Sequence, residues 1–222
     1  MLMSALQGKA DIIEFVIYAI SALVVIFLTL PVHEFAHGYI ASKLGDPTPK
    51  YTGRLTLNPF AHIDYMGAAA MLLIGYGWAK PVQVNPRYFK NPKWGMALTA
   101  LAGPVSNILF ALVCLFLANF ILTLFSSGIA VYIYVFFYYV ALINVRLAVF
   151  NFIPVPPLDG SKVLSAVLPT RTYFKIMQYE RYIYLALLLL LASGTLSLPL
   201  DIASDFIMSG ISKLVSLPFY LF

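Results

Sequence analysis

Charged residues are scarce in this sequence of 222 residues, where 14 Lys and Arg and 9 Asp and Glu make up 10% of the chain. Soluble domains carry about 25% charged residues. Disordered chains are also far more polar than this one, so both classes are excluded. There is one cysteine, Cys114, so no intrachain disulfide can form, and its place in a long apolar run indicates packing. With 61% hydrophobic residues, the composition predicts an integral membrane protein whose main surroundings are the lipid bilayer.

Uncharged runs predict where the chain crosses the bilayer. The longest, Trp94–Val145, has 52 residues, which is enough for two helices and a turn because one span needs about 20. Phe15–Val32 and Tyr182–Leu200, of 18 and 19 residues, predict one span each. Tyr65–Ala79, of 15 residues, is too short and glycine-rich to span and indicates a re-entrant or interfacial segment. The runs do not alternate in polarity, so we predict an all-α polytopic membrane protein with about four transmembrane helices.

The basic residues predict the orientation. Two loops carry most of them, one between the first and second helices and one after the third, whereas the turn around Ser126 to Gly128 carries no charge. Loops rich in Lys and Arg stay in the cytoplasm, so this pattern predicts a multi-pass protein of the cell membrane with both termini outside. The same rule accounts for the net charge of +5. Because the basic residues form no soluble module, we expect no nucleic-acid partner.

The motif His33-Glu34-Phe35-Ala36-His37 is HExxH. Residues four apart share a face of a helix, so both imidazoles can bind one metal ion, and Glu34 can take a proton from a water beside it. Zinc suits imidazole ligands and hydrolytic chemistry. The span before His33 rises about 27 Å, which brings the motif close to the cytoplasmic edge of the hydrocarbon core. Ionisable groups there are costly and usually functional, although a helix end at the interface also tolerates them.

A catalytic zinc has three protein ligands, so one more is needed. The candidates are His62, Asp46, Asp64 and Asp159. Asp159 follows the third span after three closely spaced prolines, and irregular backbone at membrane depth indicates a cavity or a buried site. This moderately favours Asp159 over Asp64, and the alternative is that Asp159 is the N-cap of an ordinary helix running to Val167. His62 and Asp64 fit either a supporting shell around the metal or a polar interfacial loop.

Four motifs together resemble the site-2 protease family of intramembrane zinc metalloproteases: HEFAH, GRLTLNPFAHID, ALAGPVSN and NFIPVPPLDG. The likeness covers most of residues 31–168 and is to compact members without PDZ or CBS domains. It implies a single intramembrane metalloprotease domain over residues 1–222, with Zn²⁺ bound by His33, His37 and Asp159 and with Glu34 as general base. It also implies that Asn151 contacts the substrate backbone or the oxyanion. The implied activity is hydrolysis of a peptide bond within or next to a transmembrane segment of a single-span membrane-protein substrate, as in regulated intramembrane proteolysis.

Two further features are less specific. Asn107 in ALAGPVSN could hydrogen-bond near the active site and contact substrate, but small residues beside an amide are also typical of close helix packing in lipid. The stretches TGRLTL and KPVQV predict short strands on the cytoplasmic side, whose edge could receive an unwound substrate. The alternatives to a protease are a metal-ion transporter and an inactive membrane scaffold. No internal repeat favours the transporter, and Glu34 has no purpose in a structural zinc site.

Overall fold

The computed structural model describes residues 12–74, 78–125 and 127–220. Its helices are α1 (Ile12–Lys43), α2 (Thr48–Tyr51), α3 (Pro59–His62), α4 (Tyr65–Ile74), α5 (Pro92–Leu124), α6 (Gly128–Phe152), α7 (Asp159–Val167), α8 (Thr170–Met177), α9 (Glu180–Ala192) and α10 (Ser197–Ser216). Short 3₁₀ turns occupy Pro86–Tyr88 and Leu217–Tyr220. The protein is a helical membrane protein, as its composition predicts.

Three helices, α1, α5 and α6, are long and apolar enough to cross a membrane, with 32, 33 and 25 residues. They pack against one another: α5 contacts both α1 and α6, and the first part of α1 also contacts α6. The buried positions of α5 are mostly small: Gly95, Ala97, Ala100, Gly103, Ala111 and Ala118. Small side chains let helix backbones approach closely, which is how helices associate in lipid. This packing carries α1 and the start of α7 to the same end of the bundle.

Helix α1 changes its winding just before the HExxH motif. Val25–Thr29 forms a π turn, in which the N–H of Leu30 donates to the carbonyl of Val25, five residues back. The next residue, Pro31, has no N–H to continue the α-helical pattern, so a local change of winding is expected there. Single π turns within α-helices are frequent at functional sites. Here the π turn sets which way the side chains from His33 onward point.

The helix predicted over Tyr182–Leu200 is interrupted. α9 ends at Ala192, Gly194 adopts a left-handed conformation with φ of 74°, and α10 leaves at 82° to α9. Glycine tolerates this conformation and commonly ends helices. The described residues therefore contain three candidate spans, or four if the bent pair counts as one, and a count of four continuous helices is not confirmed. α10 packs on α5 and α6 rather than trailing away from the bundle.

The predicted short strands are also not confirmed, since the described residues contain no strand. TGRLTL forms turns and bends, and KPVQV has no regular secondary structure, with one isolated bridge beside it between Ile63 and Ala79. The reason lies in its hydrogen bonds: the amides of Val82 and Asn85 donate to carboxylates of residues 34 and 46 instead of to a neighbouring strand. The predicted re-entrant segment contains the ten-residue helix α4, and residues 75–77 of it lie outside the described part of the chain.

Candidate metal centre

Three potential ligand atoms meet where α1 lies beside the start of α7. Nε2 of His33 and Nε2 of His37 are 3.1 Å apart. Oδ2 of Asp159 is 3.4 Å from the first and 3.0 Å from the second. Ligands that bind zinc tetrahedrally at 2.0–2.1 Å lie about 3.3 Å from one another, so the three atoms are already spaced for one ion. All three residues are buried, and the only group of His, Cys, Asp and Glu side chains with ligand spacing in the described chain is this one.

The protonation of His37 leaves a free electron pair facing the other ligands. Its Nδ1 lies 2.7 Å from the backbone carbonyl of Thr99 and donates a hydrogen bond to it. In a neutral imidazole Nε2 then carries no proton, which is the usual arrangement behind a metal-binding histidine. Three atoms of this kind within 3.4 Å of one another need either a shared proton or a cation between them. Two imidazoles and a carboxylate form a donor set that zinc prefers in hydrolytic sites, so the residues fit the metal.

Two glycines let the helices approach the site. A Cβ at Gly103 of α5 would lie 2.4 Å from Nε2 of His37 and 2.5 Å from Cε1 of His33. A Cβ at Gly160 would lie 2.4 Å from the carbonyl oxygen of Phe152, at the end of α6. Neither distance is sterically possible. Glycine at 103 therefore lets α5 lie directly beneath the imidazoles, and glycine at 160 lets Asp159 come close to them.

Glu34 faces a cavity of about 230 Å³ beside the three ligands. Its Oε2 accepts a hydrogen bond of 3.0 Å from the amide of Val82, and only 7% of the residue is exposed. The cavity walls are mostly apolar, and α9 covers one side through Tyr184, Leu187, Leu188 and Leu191. A carboxylate next to the ligand group, in a pocket largely closed to water, is suitably placed for proton transfer.

Asp159 is the first residue of α7, which runs to Val167, so the predicted helix is present. Its carboxylate bonds to the imidazoles and, through Oδ1, to Nζ of Lys162 at 3.0 Å, so it does not cap the helix. Burial alone would raise the pKa of Asp159, but His37 when it is protonated, the hydrogen bonds that protonated His33 and His37 then donate, and Lys162 hold the pKa well below its usual range. Burial would lower the pKa of Lys162, but the carboxylates of Asp159 and Glu34 raise it above its usual value. Both groups are therefore charged at neutral pH.

The other candidate ligands lie apart from this group. Nε2 of His62 donates a hydrogen bond of 2.8 Å to the carbonyl of Thr56. Both Asp46 and Asp64 accept backbone hydrogen bonds, Asp46 from Thr48 and Asp64 from the first turn of α4. Asp46, Asp64 and His62 thus stabilise loops, and of the four candidates Asp159 is the one that lies with His33 and His37 in a group that could hold a metal ion.

The two asparagines differ in position. Asn151, near the end of α6, lines the cavity, and its Nδ2 donates to the carbonyl of Leu147 at 3.0 Å. Asn107 is 1% exposed on α5, four residues after Gly103, and among the described residues its Nδ2 has no hydrogen-bond partner. Asn107 is not among the described residues that line the cavity.

Three contacts at the site were not anticipated from the sequence. Lys162 follows Asp159 by three residues, and this spacing on a helix is a sequence signal from which the ion pair could be predicted. The carbonyl of Thr99 and the amide of Val82 are backbone groups. Backbone contacts from distant segments leave no mark on residue identity, so no sequence pattern could have found them.

Comparison with known proteins gives a family match over residues 21–193, to "Peptidase family M50". The predicted zinc metalloprotease YwhC of Bacillus subtilis is 37% identical over 188 residues, which cover 80% of this chain and 84% of that protein. The predicted zinc metalloprotease Rip2 of Mycobacterium tuberculosis is 27% identical, over 77% of this chain and 66% of its own length. The zinc metalloprotease MJ0392 of Methanocaldococcus jannaschii is 28% identical, over 65% of this chain and 33% of its own. No solved structure gives a significant match.

Proposed function

Because this chain belongs to peptidase family M50, we propose that it is a zinc-dependent endopeptidase that hydrolyses a peptide bond within or next to a transmembrane segment of a membrane-protein substrate. The observation that carries the proposal is the meeting of His33, His37 and Asp159, at 3.0–3.4 Å, towards the end of a helix of membrane-spanning length. The whole of residues 1–222 would then serve as one intramembrane metalloprotease domain.

In this mechanism His33, His37 and Asp159 hold the metal, and Glu34 moves the proton. Zinc bound there would act as a Lewis acid on the attacking water and on the scissile carbonyl. Glu34 would take a proton from the water and later give it to the leaving amine. The hydrogen bond from Val82 to Oε2 fixes the carboxylate of Glu34 and leaves Oε1 available for the transfer. The apolar cavity walls would limit access of bulk water, which strengthens electrostatic interactions inside.

Substrate would enter the cavity as an unwound segment, because a helical segment keeps its amides in internal hydrogen bonds. Asn151 lines the cavity close to Glu34 and Asp159, and we assign it contact with the substrate backbone or the developing oxyanion. Asn107 remains a candidate for substrate contact; its unpaired amide, one helical turn from Gly103, supports a polar role near the site. The substrate that we propose is a single-span membrane protein, whose unwound segment would enter this cavity.

The protein would be a multi-pass protein of the cell membrane with its active site close to the cytoplasmic face. Support comes from the basic residues in residues 43–93, which follow the HExxH motif, and in residues 162–181, which follow Asp159. The HExxH motif follows the apolar part of α1, and Asp159 follows α6, so both would arrive at the same membrane surface.

The proposal is tested by cleavage of a single-span reporter substrate in proteoliposomes. The wild-type chain should cleave it and lose activity on treatment with a zinc chelator. Glu34→Gln should retain zinc but cleave at least about 100-fold more slowly, because the proton acceptor is gone. The matched control is Glu180→Gln, which removes a partly exposed carboxylate at the start of α9 and should leave cleavage close to wild type. Cleavage that survives Glu34→Gln would reject the mechanism.

A further inference from the structure

We propose that Lys162 is a positioning residue that holds the carboxylate of Asp159 so that one oxygen alone, Oδ2, faces both imidazoles. The ammonium group Nζ lies 3.0 Å from Oδ1. Oδ2 is then the atom that approaches Nε2 of His33 and of His37, at 3.4 and 3.0 Å. The inference rests on the proposed function, since it concerns the same metal site.

The orientation of an aspartate carboxylate is not set by its own rotamer. Rotation about the bond from Cβ to the carboxylate carbon is broad, so packing or hydrogen bonds must select one setting. In Asp159 the two oxygens are divided between two kinds of partner, a lysine on one side and two imidazoles on the other. The divided bonding fixes the plane of the carboxylate, because a rotation that improves one set of contacts breaks the other.

The helix supplies the lysine at the right place. Residues 159 and 162 are three apart in the first turn of α7, so their side chains lie on neighbouring faces. The close approach of Gly160 to the carbonyl of Phe152 anchors this turn against α6. Asp159 has 9% of its side chain exposed and Lys162 has 36%, so the carboxylate is less accessible to solvent than the lysine.

Lys162 also balances charge within the cavity. Among the described residues that line it, Glu34 and Asp159 are the carboxylates and Lys162 is the one lysine or arginine. A lysine close to a cation site repels the cation, which opposes the benefit of orientation. We expect orientation to win, because removal of groups that hydrogen-bond to a metal ligand typically weakens metal binding by about 10–100-fold.

The test measures zinc affinity of the purified full chain in nanodiscs, by competition with a chromogenic chelator. Lys162→Met, which keeps the length and packing but removes the hydrogen bond, should weaken zinc binding by about 10–100-fold. Lys162→Arg should restore most of it, because the guanidinium can still donate to Oδ1. Lys175→Met is the matched control: it removes an exposed lysine on α8 that does not line the cavity, and should leave the affinity unchanged.

A second readout follows the ligand geometry without relying on activity. In cobalt-substituted protein, the visible absorption should weaken in Lys162→Met if the freed carboxylate offers both oxygens and raises the coordination number. Lys162→Gln keeps a neutral hydrogen-bond donor and replaces the methionine variant if that variant does not fold. Its zinc affinity and cobalt absorption should lie between those of the wild type and those expected of Lys162→Met. Zinc affinity and cobalt spectrum equal to wild type in Lys162→Met or Lys162→Gln would overturn the inference. Failure of the wild type itself to bind zinc would instead overturn the proposed function.

Discussion

At the scale of single residues, the steric role of Gly103 is as specific as the chemistry of the ligands. We expect Gly103→Ala to weaken zinc binding by about 10–100-fold, because the new Cβ would fall 2.4 Å from Nε2 of His37 and push the ring from its position. Zinc competition measures the loss of affinity, and reporter cleavage measures the accompanying loss of activity. Gly210→Ala is the control, since a Cβ at that helical glycine meets nothing within 4 Å. It should leave zinc binding intact and favour the helix by up to about 1 kcal/mol. Equal zinc affinity in both variants would contradict the steric account.

The segment that contains Val82 and Asn85, beside the site, is held in place without a sheet. Its amides at Val82 and Asn85 are bound by two carboxylates, Glu34 and Asp46, and Asp46 is fully buried. The carboxylate of Asp46 accepts hydrogen bonds from the amides of residues 48 and 85, and it therefore links two segments of the chain. The backbone nitrogen of Asn85 is 2.7 Å from Oδ2 of Asp46, and the backbone nitrogen of Thr48 is 2.9 Å from Oδ1.

We expect Asp46→Asn to release residues 82–85, because the asparagine amide cannot accept both hydrogen bonds. Leaving one buried donor unpaired costs about 1–3 kcal/mol. Hydrogen exchange followed by mass spectrometry should show faster exchange in residues 82–85 and unchanged exchange within α5. Ser127→Ala, which removes the cap of α6, tests for a general loss of stability, and its exchange in residues 82–85 should match wild type. Unaltered protection of residues 82–85 in Asp46→Asn would refute this linking role of Asp46.

A second link between elements is the ion pair of Arg146 on α6 and Asp201 on α10, at 2.7 Å. With 27% and 41% of the two side chains exposed, we expect a coupling of only about 0.5–1.5 kcal/mol. A double-mutant cycle of Arg146→Gln and Asp201→Asn, followed by unfolding in detergent, measures it. Additive effects of the two substitutions would show that the pair does not attach α10.

For the whole molecule, the first prediction concerns orientation in the membrane. Alkaline phosphatase, which is active only outside the cytoplasm, should be active when fused at Gly128 and inactive when fused at Lys90. Fluorescent protein fused at the same sites should give the opposite pattern. Activity at Lys90 would reverse the proposed orientation, and with it the placement of the site near the cytoplasmic face.

A second prediction at this scale concerns metal removal. The candidate ligands come from the first membrane-length helix and from α7, more than 120 residues later, so an ion bound by them would tie together distant parts of the chain. Zinc at 100 times its dissociation constant should stabilise the fold by about 2.7 kcal/mol. Thermal unfolding in detergent should therefore shift down on chelation and return on adding zinc. His37→Ala should show little response to either treatment; a shift as large as in wild type would place the stabilising ion elsewhere.

How far the sequence predicts this molecule depends on how local each signal is. The HExxH spacing and the uncharged runs are local, and α1, α5 and α6 follow from them. The selection of Asp159 over His62 and Asp64 depends on which loops the fold brings to α1, so residue types alone left it open. The missing strands have the same cause, because the partners of Val82 and Asn85 are side chains 48 and 39 residues away. The break at Gly194 is different: a local signal was present and was outweighed by the apolar run around it.

That break has a consequence for the lipid around the cavity. A helix of 13 residues, the length of α9, rises about 20 Å, which is some 10 Å less than the thickness of the hydrocarbon core. A bilayer meets such a hydrophobic mismatch by becoming thinner beside the short element. α9 forms one wall of the cavity, so the thinned lipid would lie against this wall. A substrate helix arriving there would have its end lifted out of the apolar layer, where water can replace its internal hydrogen bonds before it reaches Glu34.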